Sequence, residues 1–152
     1  MAAIEDRVLH DERNADTIRQ MRSTTDPVLL LQSISRLVRN IYEGNAPTYT
    51  AVYGACVVSP QLAELENEFT ELRLRKQAPF VADLCATGKL LPELDEMAVR
   101  DILWAFTSRE IYYLFVVRRG WSPDRYEQQL ASMLVTALVR RDAIAPEKAC
   151  KR

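Results

Sequence analysis

The chain has 152 residues, 48% of them hydrophobic and 27% charged, a composition that suits one globular domain with a substantial core. Its net charge is −1, so no global positive field draws a phosphate backbone, which counts against nucleic-acid binding by this chain alone. The sequence has no apolar run near the ~20 residues of a bilayer span, no signal-peptide pattern at its N-terminus, and three widely spaced cysteines (Cys56, Cys85, Cys150). Those cysteines suit neither a disulfide framework nor a metal motif, and the expected setting is cytoplasmic.

With only 4 glycines and long stretches free of turn residues, the expected class is all-α, a bundle of about six helices. Residues 1–25 are polar and weakly periodic, with Leu9, Ile18 and Met21 as anchors, and read as an N-terminal helix or arm. Asp26-Pro27 pairs a capping side chain with a proline at the first helical position and opens a helix over 27–43. Leu30, Ile34, Leu37, Val38 and Ile41 give that helix one apolar stripe. Gly44 is read as its stop, with a further helix over 47–58. Ser59-Pro60 opens a helix over 60–87, which Pro79 should bend and Gly88 closes.

A helix over 94–106 meets Thr107-Ser108-Arg109-Glu110, which matches a capping box with Thr107 as the cap, so a second helix is expected over 108–119, at an angle to the first. The stretch 97–117 is apolar on nearly every side and reads as a central buried element. Gly120 ends it, and Ser122-Pro123 opens the last helix, 123–141. Residues 26–143 form the body of the expected domain, and 144–152 a disordered tail.

Catalytic constellations are sparse. His10 is the only histidine, the glycines are dispersed, and Glu64, Glu66, Glu68 and Glu71 read as a solvated helix face, so no catalytic residue, metal or cofactor is expected. An arginine beyond them, Arg73 or Arg75, could reach into the bundle to meet an anionic ligand; the spacing does not choose between them. The binding potential is aromatic. Tyr49 and Tyr53 lie one helical turn apart with Cys56 beyond, and Tyr49, Tyr53, Cys56, Phe80, Trp104 and Thr107 form the candidate pocket for a small, largely apolar molecule. Core packing is the competing reading of the same side chains.

The phrase Leu103-Trp104-Ala105, Thr107-Ser108, Glu110-Ile111-Tyr112, Leu114, Val116, Arg119-Gly120-Trp121-Ser122-Pro123, Arg125-Tyr126 and Leu130 resembles the C-terminal ligand-binding and dimerisation domain of TetR-family transcriptional regulators. Asp26-Pro27, Ala46-Pro47, Leu72-Arg73 and Gly88-Lys89-Leu90 follow the same layout, so the resemblance spans roughly 26–141. It implies a ligand cavity between helices and a homodimer formed as an intermolecular four-helix bundle. Mapped onto this sequence, the dimer interface would hold Tyr113, Val117, Trp121, Tyr126, Leu130, Met133, Leu134, Ala137 and Leu138. It also implies repression or activation through an N-terminal helix-turn-helix that has no counterpart in these residues, so DNA contact would come only through such a module. Two other readings stay open: a ligand-free helical module that heterodimerises with complete regulators, and a small all-α enzyme built on buried carboxylates and tyrosines.

Overall fold

The computed structural model describes residues 12–56 and 60–144, and within them the side chains of all but 12–13, 45–56, 60–63, 65–66 and 69. Helices carry the whole architecture: α1 (Glu12–Ser23), α2 (Pro27–Cys56), α3 (Pro60–Ala86), α4 (Glu96–Phe106), α5 (Arg109–Tyr112) and α6 (Pro123–Leu138). A π-helical segment, Tyr113–Arg118, continues α5 directly, and a short 3-10 turn, Arg141–Ala143, follows α6. Among the described residues, no helix is long and apolar enough to cross a membrane.

The punctuation is local chemistry. Asp26 accepts from the Val28 amide at 2.9 Å, Asp95 from Ala98 at 2.7 Å and Ser122 from Arg125 at 3.2 Å, each supplying an acceptor for an orphan first-turn N–H. Gly88 and Gly120 stop their helices at φ +64° and +69°, a conformation open to glycine without Cβ strain. Gly44 does not behave this way. It lacks the positive φ of a stop, and α2 runs unbroken through it and through Pro47, so the two helices expected over 27–43 and 47–58 are one.

The α2 stripe packs against α6. Leu30, Leu31, Ile34, Leu37 and Val38 meet Tyr126, Leu130, Leu134 and Leu138, with Val81 and Leu84 of α3 and Val99 and Leu103 of α4 closing the core. Outside this seam, Arg36 reaches Glu127 at 3.1 Å and Arg39 reaches Asp124 at 3.0 Å, clasping α2 to α6. The chain then turns back. Val139 leaves the helix to bridge Leu90, with Leu91 donating to Leu138 at 2.9 Å and Arg140 to Lys89 at 3.0 Å, which is why α6 ends short of the expected 141. The expected tail lies almost wholly outside the described residues.

Two sequence expectations need correction. Tyr126, Leu130, Leu134 and Leu138 are 0% exposed within the single chain, so α2 already occupies the side of α6 assigned to a dimer. The outward side of α6 carries Arg125, Gln128, Gln129, Ser132 and Thr136, while Met133 and Ala137 are half-buried against the same core. Second, 97–117 is one-sided rather than central: Val99, Leu103 and Tyr112 are buried, but Met97, Leu114 and Val117 stand exposed. For the N-terminal segment, read as a helix or arm, the described residues take the helical alternative as α1. Asn14, Thr17 and Met21 are buried, and Asn40 of α2 donates to the Asn14 side chain at 2.9 Å.

Candidate functional site

The break between α4 and α5 organises the site. Thr107 caps α4, its amide and hydroxyl both donating to the Leu103 carbonyl, the hydroxyl at 2.7 Å. Gln77 of α3 donates to the same hydroxyl at 2.7 Å, and Tyr42 of α2 donates its phenol to the Thr107 carbonyl at 3.0 Å. Three helices therefore meet on one buried residue. The next residue, Ser108, opens α5 by accepting from Ile111 at 3.4 Å, so the helix cap sits one residue later than the capping box suggested.

Beside this junction lies a half-open cleft of about 370 Å³. Tyr42 enters it from α2, Thr70 and Arg73 from α3, and Trp104 and Ala105 from α4; Ser108 through Ile111 form its remaining wall. The Arg73 guanidinium lies over the Trp104 ring, 4.9 Å from its centroid. Arg73 Nη1 and Trp104 Nε1 are both buried donors with no hydrogen-bond acceptor among the described residues. Arg109 differs: it pairs with Glu110 at 3.0 Å. Burial pushes the Glu110 carboxyl upward, but bonds from its own backbone, from Arg109 and from Ser108 outweigh that and hold it below the usual carboxylate range.

Behind the cleft stands an aromatic column. Tyr42 and Tyr112 have ring centroids 5.5 Å apart, and Tyr112 meets Tyr126 edge-on at 4.9 Å. The Tyr126 hydroxyl is buried without a partner among the described residues, and burial first, then Tyr42 and Tyr112, push its phenol far above the ordinary value.

Of the expected pocket residues, Trp104 lines the cleft. Thr107 does not: both functions of its hydroxyl are spent on Leu103 and Gln77, and it supports the wall from behind. Phe80 is packed against the hydrophobic core instead. Tyr49, Tyr53 and Cys56 have side chains outside the described set. Between the two arginines left open, Arg73 faces the cleft and Arg75 is exposed. Tyr42, Ser108, Arg109 and Ile111 went unassigned, although Tyr42 extends the α2 stripe by one turn beyond Val38.

Of the expected dimer residues not already buried, Val117 is exposed, and Tyr113 and Trp121 are half-buried. Trp121 stacks on Phe115 at 4.3 Å with Arg125 above its ring at 4.3 Å, so its faces are engaged within the chain.

Among the described residues, no cluster of three or more His, Cys, Asp or Glu could hold a metal ion. Burial, then the charge of Glu96, raises the Cys85 thiol above its ordinary range, the opposite of what an attacking thiolate needs. The cleft instead combines an aromatic face, apolar walls and unpartnered donors. Compared with known proteins, the chain matches no family model, no curated protein and no solved structure.

Proposed function

We propose that this chain is the effector-binding part of a TetR-like regulator, which takes a small, largely apolar molecule into the Trp104 cleft and homodimerises. The observation that carries the reading is the cleft itself, placed at a helix break and walled by three different helices. A closed bundle would have favoured the ligand-free interaction module; a cleft of about 370 Å³ falls within the size of small-molecule sites. With α6 covered by α2, the dimer contact moves to the segment after α5, where Leu114 and Val117 are 52% and 48% exposed.

That placement supplies a route for regulation. Ser108, Arg109 and Ile111 line the cleft, and the helix they open runs without interruption into Leu114 and Val117. A ligand that favours one setting of α5 shifts the population of dimer arrangements, and with it the spacing of DNA-reading modules joined to the domain. No bond is made or broken.

Native mass spectrometry of the freshly purified chain tests both halves of the proposal. A dimer carrying added small-molecule mass is expected, as is a monomer for the double variant Leu114→Asp/Val117→Asp. A bare wild-type monomer would contradict the dimer, and an unaltered dimer in the double variant would move the contact elsewhere.

A further inference from the structure

Resting on the cleft reading above, we infer that the ligand carries a carboxylate on a flat apolar body, and that Arg73 is the residue that selects it. Among the described residues, the cleft holds two arginines and one carboxylate. Arg109 and Glu110 satisfy one another at 3.0 Å, which leaves Arg73 as the cation without an ion-pair partner among the described residues. A guanidinium is charged at every accessible pH, and half-buried Arg73 holds its Nη1 out of water without a counter-charge among the described residues, at a cost. An anion delivered to Arg73 relieves that cost.

The second donor sharpens the class. Trp104 Nε1 is donor-only, and like Arg73 Nη1 it is buried and unpartnered among the described residues. Two donors sharing one cleft, on side chains stacked 4.9 Å apart, call for a group that accepts in more than one direction. A carboxylate does so with two oxygens; an amine or other cation placed at these two donors would find no acceptor in them and would be repelled by the charge of Arg73. The stack also matters for shape. Trp104 holds the guanidinium plane, so the donor edge is aimed before the ligand arrives, and Tyr42 and Ile111 leave apolar wall for the remainder of the molecule.

The test compares 2-naphthoate with its neutral isostere 2-naphthamide by isothermal titration of the full chain. The naphthoate is expected to bind about tenfold or more tightly, the scale of a hydrogen bond to a charged group. Arg73→Gln should bring the two affinities to within about twofold while naphthamide binding persists, and Arg73→Lys should restore part of the preference. Equal affinities in the wild type, or a preference that survives Arg73→Gln, would overturn the carboxylate inference and leave the cleft reading standing. Binding of neither probe would remove both. The wild-type comparison decides the question even if a variant fails to fold.

Discussion

Tyr126 is fully buried, yet its hydroxyl has no partner among the described residues, an arrangement that costs stability rather than adding to it. Tyr126→Phe is therefore expected to raise the unfolding free energy by about 1 kcal/mol in urea titrations; a loss of that size would show that the hydroxyl is bonded. The pH dependence follows from the same burial. The folded-state phenol lies above its unfolded value of about 10, so its contribution is intact below that pH and is lost as pH rises beyond it. Tyr126→Phe should blunt this alkaline loss without abolishing it, because burial, and then Glu43, raise Tyr112 as well. Glu110 works in the other direction: held below its ordinary range, it stabilises above that range and loses its effect as pH falls through the lowered value. Its share is small, since half the side chain is in water. At this scale the sequence was readable where chemistry is local, as in the Asp26 and Ser122 caps. It was not readable for Thr107, whose partners Tyr42 and Gln77 lie 65 and 30 residues away.

Helix boundaries separate glycines by conformation rather than by position. Gly44→Ala is expected to stabilise the chain by about 0.5–1 kcal/mol, because no described residue lies within 4 Å of the added Cβ and the backbone is helical. Gly88→Ala should cost about 1 kcal/mol or more, since its φ of +64° strains any L side chain even though the space is open. Paired thermal melts check the contrast, and equal shifts would contradict it. Ser108→Ala should cost about 1 kcal/mol through the lost cap of α5; an unchanged melting temperature would contradict Ser108 as the cap. The helices themselves were legible from proline, glycine and apolar spacing. The fusion of 27–43 with 47–58 was not, because a glycine and a proline read as breakers whether or not the backbone turns there.

The whole molecule is settled by which element covers which. The resemblance placed a partner chain against the last helix, yet α2 of the same chain buries that side, and sequence alone does not distinguish the two. Leu134→Glu consequently ought to unfold the chain, costing several kcal/mol for a charge placed in a fully buried site. A folded variant that merely fails to dimerise would return α6 to the interface. The cleft was half legible: Trp104 and an inward arginine were anticipated, while its floor depends on Tyr42 arriving from a distant helix.

The chain's two tryptophans give the most direct test of the cleft, because Trp104 lines it and Trp121 is stacked elsewhere on Phe115. In a nitrogen–proton correlation spectrum recorded with saturating 2-naphthoate, the Trp104 indole N–H resonance should move and that of Trp121 should stay in place. A Trp104 resonance that does not move, or a shift confined to Trp121, would contradict the account.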